Sequence, residues 1–309
     1  MKKSRNLVIG SFCMLVVASS VLHAADSSIT VDNQTGYILA KENANDKRQI
    51  GSLTKIATAM VVLDWLELSK SDPSATVTVP SEALAVGGVN PAGLMAGDEI
   101  SVRDLLYSAL VASDNVAAQT LAYHVGSKLP NRKKLTPVEN FVVQMNSLAR
   151  YVGMKHTLFL NPSGMDNFEG TLPYSTAIDV AKLTRFAYTK ASFKFYVSQK
   201  TREIHLRRGG SEMGIAIQST NALLGEENID GVKTGRTSHA GDCIVLSSQK
   251  APESRKEGEQ VVITPRRIIT VILASPDRNA EGLQKIRTGW LLYDQWAAKG
   301  RHVNRSEAL

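Results

Sequence analysis

The sequence predicts a mixed α/β (α+β) fold: an antiparallel five-stranded sheet assembled from both chain ends and flanked by helices, with an all-helical subdomain inserted between them. Three observations carry this expectation. Extended runs open the chain at Ser28 to Val31 and Tyr37 to Ala40; helical periodicity dominates from about residue 52 to 188; and extended runs return after residue 200, closed by one amphipathic helix.

Composition allows such a core. The chain has 309 residues, 43% hydrophobic and 21% charged, which is ordinary for a globular protein and not for a disordered or fibrous one. Residues 1–24 stand apart: Lys2, Lys3 and Arg5 precede an apolar run from Leu7 to about Val21, then Leu22-His23-Ala24 with small residues around a cut after Ala24 or Ala25. This is the pattern of a secretory signal peptide, and the apolar run is short for a span of about 20 residues, which argues against a retained anchor. Removing residues 1–24 takes the formal charge from +7 to +4, so mild basicity has no implication beyond solubility or an anionic surface. Cys13 leaves with the leader and Cys243, followed by Ile244-Val245-Leu246, is left without a partner as a small strand residue, so stability rests on the core and not on a disulfide.

In order along the remaining chain, Ser28 to Val31 and Tyr37 to Ala40 flank a turn at Asn33-Gln34-Thr35-Gly36 and form a hairpin. A helix spans about Ser52 to Leu68, with Leu53, Ile56, Met60 and Leu63 at helical spacing. Thr76 to Val79 is a short strand, and Gly87 to Gly97 a loop. Ser101-Val102-Arg103-Asp104 resembles a capping box and opens a helix through Leu110, which delivers Ser113-Asp114-Asn115; a further helix covers Val116 to about Val125. Thr136-Pro137-Val138-Glu139 is a fuller helix start, N-cap Thr with Pro first and Glu third, and this helix stops at Gly153. Between them, Arg132, Lys133 and Lys134 form a solvated basic loop. Ser175 caps a helix through about Tyr188.

Glu203 to Leu206, Gly214 to Ser219, Gly231 to Thr237, Asp242 to Ser248 and Arg266 to Ala274 follow as an expected antiparallel meander, with Ala251 to Gln260 an exposed hairpin loop. A last helix from Ala280 presents Leu283, Ile286, Trp290, Leu291 and Tyr293 or Trp296 to the core. The domain plan is therefore a signal peptide (1–24), one catalytic domain (25–300) with a helical insertion at about 70–190, and a short polar tail (301–309) with no further β-domain or membrane anchor.

Ser52-Leu53-Thr54-Lys55 places a hydroxyl and an amine on one helical face. An amine kept neutral by desolvation or neighbouring cations can take a serine's proton. The spacing alone is weak: about one copy arises by chance in a chain this long, and Ser247-Ser248-Gln249-Lys250 is a second. That copy lies in an expected strand, where positions three apart point to opposite faces. Taken singly, Ser113-Asp114-Asn115 reads as a helix cap and Lys233-Thr234-Gly235 as a strand ending in a turn.

Together and in this order, however, the three motifs are those of class A β-lactamases and penicillin-binding proteins. The chain most resembles the serine-type D-alanyl-D-alanine carboxypeptidases, or low-molecular-mass penicillin-binding proteins, with the DD-peptidase/serine β-lactamase-like fold. The likeness extends through Gly153-Met154-Lys155-His156-Thr157, Asn161-Pro162-Ser163-Gly164-Met165-Asp166, Tyr174 to Ala177, Ser219 to Leu224 and Asp230-Gly231-Val232, and covers about residues 27–298. It implies Ser52 as the acylated nucleophile, Lys55 as its base and Ser113 as the proton relay to the leaving amine. Asn115 is implied to hold the substrate amide and brace Lys55, and Lys233 and Thr234 to bind the terminal carboxylate. Gly235 admits substrate to the strand edge, and the backbone N–H groups of Ser52 and Arg236 form the oxyanion hole. The expected partners are peptidoglycan stem peptides, with β-lactams as inhibitors.

Elementary chemistry agrees with these roles: a helix N-terminus favours a developing oxyanion, and Lys233 as a second cation is expected to disfavour a charged Lys55. Two departures stand out. Arg236 replaces a neutral, aromatic or His residue after Lys-Thr-Gly, and Asp114 stands where many carboxypeptidases have Gly. The implied enzyme works outside the cytoplasm, in the periplasm or an equivalent compartment, without a cofactor or metal.

A class A-like β-lactamase is the nearest rival, and it needs a water-activating glutamate for which Glu169, with Asp166, is the acidic candidate. A catalytically silent wall-binding protein is the other, opposed by the intact Ser52, Lys55, Ser113, Asn115 and Lys233. No Gly-x-Ser-x-Gly, His-Glu-x-x-His or paired Cys is present, the histidines have no metal spacing, and nothing beyond mild charge points to nucleic acid. His239, four residues past Gly235, is a further candidate for the cleft.

Overall fold

The computed structural model describes residues 25–166 and 170–309, so the expected signal peptide and Glu169 lie outside the described residues. Strands β1 (Ser27–Asp32) and β2 (Ile38–Glu42) form the anticipated hairpin. Asp32 closes its turn by accepting both the N–H and the hydroxyl of Thr35, at 2.6 and 2.7 Å. A 3-10 turn, Gly51–Thr54, runs directly into α1 (Lys55–Ser69). Then come β3 (Thr76–Thr78), α2 (Ser81–Leu84), β4 (Glu99–Ser101), α3 (Val102–Val111), α4 (Asn115–Lys128), α5 (Pro137–Val152), α6 (Ala177–Ala187) and α7 (Ala191–Val197). The chain ends in β5 (Thr201–Arg208), β6 (Ser211–Gln218), β7 (Ile229–Thr237), β8 (Gly241–Glu257), β9 (Gln260–Ser275) and α8 (Arg278–Ala298).

Local chemistry explains most helix starts. Ser101 Oγ accepts the Asp104 N–H at 3.0 Å, and Thr136 with Glu139 makes a complete capping box behind Pro137. Each such cap contributes about 1 kcal/mol. The cap of α6 is Thr176, which accepts the Asp179 N–H at 3.1 Å. Ser175, the expected cap, is instead buried against Thr157. Helix α1 is not amphipathic: Lys55 to Leu63 are all buried, as a central helix requires.

The five-stranded sheet has the order β2-β1-β9-β8-β7, antiparallel throughout, so the two chain ends meet at its centre through β1 and β9. One face packs on α1, α6 and their neighbours. The other packs on α8 through Leu246, Ile268, Ile272, Ile286, Trp290 and Tyr293.

Three expectations need correction. The extended runs near Glu203 and Gly214 do not join this sheet. As β5 and β6 they pair with each other, and β5 pairs with β4, in a separate four-stranded sheet of order β3-β4-β5-β6, so the insertion is helical except for two short strands. Ala251 to Gln260 is not a loop. Strands β8 and β9 continue past a register shift between Lys250 and Glu253, which accommodates Pro252, and turn only at Gly258-Glu259. Leu291 faces solvent at 59% exposure, because the buried stripe of α8 follows Ile286, Trp290, Tyr293 and Trp296.

Candidate active site

Strand β7 is the free edge of the five-stranded sheet, and it lies against the 3-10 turn that carries Ser52. Contact between the two backbones is so close that a Cβ on Gly235 would fall 2.7 Å from Ile50 O and 3.2 Å from the Ser52 and Leu53 nitrogens. Only glycine permits this approach. The other side of the turn meets the 161–166 loop just as tightly. Gly164, at φ +86°, has its Cβ position 1.9 Å from Gly51 O.

On this frame the motif residues converge. Lys55 is fully buried and its Nζ donates to Ser52 Oγ at 2.9 Å, Asn115 Oδ1 at 2.7 Å and the Ser163 carbonyl at 2.9 Å. Three acceptors at these distances fix the amine beside the hydroxyl. Burial brings the Lys55 pKa from 10.5 down to about 7, against the opposing pull of the Asp114 carboxylate. A large share of the amine is therefore neutral at neutral pH, and a neutral amine accepts the serine's proton.

The expectation that Lys233 frees Lys55 is corrected here. Desolvation is the dominant cause at Lys55. At Lys233 the charged form is disfavoured first by burial, then by Lys55 and Arg278. Lys233 Nζ donates to the Thr234 carbonyl at 2.9 Å, and Thr234 Oγ1 donates to Thr220 Oγ1 at 2.6 Å. An anion placed here would supply the negative charge that this buried lysine lacks.

Ser113-Asp114-Asn115 bridges α3 and α4. Ser113 takes φ +65°, a left-handed conformation costing about 1–3 kcal/mol for a non-glycine residue. Asp114 holds it there: its buried carboxylate caps α4 at the Ala117 N–H (3.0 Å) and also accepts from Ser108 Oγ (3.0 Å) and the Ala92 N–H (3.3 Å). Burial raises the Asp114 pKa, and these bonds and Lys55 oppose the rise. Asp114 is thus the cap and brace of the loop that presents Ser113 and Asn115. Asn115 completes the wall by donating Nδ2 to Gly87 O at 3.0 Å.

Arg236 points away from the turn. Its side chain is 76% exposed and Nε is 3.3 Å from Asp242 Oδ1, the residue opposite it on β8. Local motifs did not reveal the roles of several other residues around the site. Arg278 donates to the Gly235 carbonyl at 3.1 Å from the start of α8, 43 residues away in sequence, and no local pattern marks it. Thr58 ties α1 to the Pro162 carbonyl at 2.7 Å, which positions the Ser163 carbonyl on Lys55. Thr220 and Ser163 stood inside stretches that carried the family resemblance, without a role attached. Asp166 is buried, hydrogen-bonded to the Thr237 hydroxyl and the His239 N–H, and 3.3 Å from His239 Nδ1. That carboxylate locks the loop to the end of β7 and is occupied by these partners. Among the described residues no group of acidic, His and Cys side chains is arranged to hold a metal ion.

A family model described as D-alanyl-D-alanine carboxypeptidase, peptidase S11, matches residues 15–264. The carboxypeptidase DacF of Bacillus subtilis is 30% identical over 233 residues, covering 75% of this chain and 56% of that protein. The D-alanyl-D-alanine endopeptidase of Pseudomonas aeruginosa is 32% identical over 226 residues, covering 72% of this chain and 66% of its own length. The chain therefore spans between about half and two thirds of these relatives. Among solved structures, the Streptomyces K15 DD-transpeptidase superposes with a TM-score of 0.73 at 28% identity over 87% of this chain and 97% of that one.

Proposed function

The chain belongs to the peptidase S11 family of D-alanyl-D-alanine carboxypeptidases, and from that premise we propose that it is an exported serine DD-peptidase acting on the D-Ala-D-Ala ends of peptidoglycan stem peptides. Ser52 is the nucleophile. The observation that carries the reading is the buried Lys55 amine, 2.9 Å from Ser52 Oγ and shifted to about 7.

In the proposed cycle, neutral Lys55 takes the Ser52 proton as Oγ attacks the penultimate D-alanyl carbonyl. The tetrahedral oxyanion is met by the backbone N–H groups of Ser52, on the turn, and Arg236, on the strand edge packed against it. The substrate lies along the free edge of β7, where unpaired backbone groups accept an added strand. Lys233 and Thr234 take its terminal carboxylate, and Asn115 takes a substrate amide. Ser113, held in its left-handed conformation, relays the proton taken up by Lys55 to the leaving D-alanine nitrogen, so that D-alanine departs as the amine and Lys55 is neutral again. Water then attacks the acyl-Ser52 ester, with Lys55 again as base. Cleavage of cross-links between peptides leaves an acyl-enzyme of the same kind, so endopeptidase action belongs to the same proposal. The similarity to the Bacillus carboxypeptidase and to the Pseudomonas endopeptidase supports both arms.

Penicillin is expected to acylate the same serine. Intact-protein mass spectrometry after exposure to penicillin should show one stable adduct, absent in Ser52→Ala. No adduct on wild type, or an undiminished adduct on the variant, overturns the assignment. Rapid turnover of penicillin transfers the protein to the β-lactamase class.

A further inference from the structure

One turn into α8, a carboxylate ties the first of the described residues into the fold. Ala25 is 4% exposed and packs in the apolar cluster beneath α8. Its main-chain nitrogen lies 3.2 and 3.0 Å from the two carboxylate oxygens of Glu281 on α8. Glu281 also accepts the Ser275 hydroxyl at 2.7 Å, and its side chain is only 12% exposed. Lys285, 3.4 Å away, is shared with Glu42 at 3.7 Å.

An amide N–H has one hydrogen and no charge, so it cannot bond both oxygens well or offset their charge. An ammonium has three hydrogens and a full positive charge. A carboxylate gripping one main-chain nitrogen with both oxygens suits a chain end.

We propose that the mature protein begins at Ala25, and that its α-ammonium forms a partly buried ion pair with Glu281. Water adds across the Ala24–Ala25 peptide bond; Ala24 departs as the carboxyl end of the leader, and Ala25 keeps the nitrogen, which takes up a proton. The charged and apolar pattern of residues 1–24 is what a leader-processing peptidase recognises. The sequence pattern admits a cut after Ala24 or Ala25, and the expected domain plan takes the first. The structure separates them, because a cut after Ala25 discards a buried side chain and removes the nitrogen that Glu281 holds. Since Ala25 is buried, the cut precedes its docking against α8. This inference is independent of the peptidase reading.

The first test is N-terminal mapping by mass spectrometry of the exported protein from cells expressing the full chain. Ala25 is the expected first residue; Asp26, or a retained leader, overturns the proposal. The second is thermal unfolding across pH of the mature protein, of Glu281→Gln, and of a mature protein carrying one extra glycine before Ala25. A free α-amino group titrates at about 8. Paired with a carboxylate it holds its proton to higher pH, so its contribution is full below about pH 8 and is lost as pH rises through the folded value. The other charged groups that face this nitrogen and Glu281 are Lys41, Glu42, Asp277 and Lys285, which line the same groove.

Wild type should lead both variants by roughly 2–4 °C near pH 7 and converge with the glycine-extended protein near pH 10. Indistinguishable pH profiles for wild type and the extended protein overturn the ion pair. That comparison keeps Glu281 and stands even if Glu281→Gln folds poorly.

Discussion

Ser52 and Lys55 share their spacing with Ser247 and Lys250, yet the two pairs have nothing else in common. The first pair spans the junction of a 3-10 turn and α1, and its hydroxyl and amine are 2.9 Å apart in a site closed by Asn115 and the Ser163 carbonyl. The second lies on β8, where the side chains diverge. Ser247 is buried under Arg267, while Lys250 reaches across the surface to Asp294 at 3.2 Å and over the Trp290 ring at 4.5 Å. A helical turn brings residues three apart together, and a strand sends them to opposite faces. Burial then makes the difference chemical: Lys55 has no carboxylate within ion-pair distance among the described residues and is driven toward neutrality, whereas Lys250 keeps an acidic partner at the surface.

The comparison is sharpest in substitutions made in parallel. Ser52→Ala should reduce turnover of a D-Ala-D-Ala peptide by at least ~10⁴-fold, the scale of losing an acyl-transfer nucleophile, with release of D-alanine as the readout. Ser247→Ala should leave that rate within about twofold. Lys55→Met comes next, with an expected loss of roughly 10²–10⁴-fold from removal of the general base. In the proposed cycle the neutral amine is the active form, so the acylation rate of wild type should rise with pH along a limb centred near 7. The limb should vanish in Lys55→Met and persist in Lys250→Met; stopped-flow penicillin acylation across pH checks both.

Gly235→Ala tests the frame that makes the first pair competent. Its Cβ meets Ile50 O at 2.7 Å and must push β7 off the turn. About 10²-fold should be lost from kcat through misplaced oxyanion donors. An unchanged kcat would show that the close approach of the two backbones is unnecessary. The smallest effect belongs to the second pair. Ser247→Ala removes one acceptor from Arg267, which keeps both oxygens of Asp230 at 2.7 and 2.8 Å. A loss of about 1 kcal/mol in urea unfolding is expected.

The motif order was legible in the sequence because each motif depends on near neighbours. A turn of helix joins Ser52 to Lys55, a loop joins Ser113 to Asn115, and a strand carries Lys233 to Arg236. Helix starts at Ser101 and Thr136 were legible for the same reason, since a cap is a contact over three residues. Sheet membership was not. β5 and β6 alternate like the strands that follow them, and nothing local says that they pair with β4 and not with β7. Arg278 and the Ser163 carbonyl were also hidden. The first acts across 43 residues, and the second is a backbone atom whose side-chain identity carries no signal.

By itself the sequence determined which groups are available: a hydroxyl and an amine one turn apart, a capped loop bearing Ser113 and Asn115, and a lysine strand with a glycine where contact must be close. Only the tertiary structure decided their chemistry. Packing α1 in the centre of the molecule strips water from Lys55, and that desolvation, far more than Lys233, turns a lysine into a base near pH 7. Proton affinity depends on everything within several ångströms of the amine, and that neighbourhood is drawn from residues 52, 114, 115 and 163, which only the fold brings together.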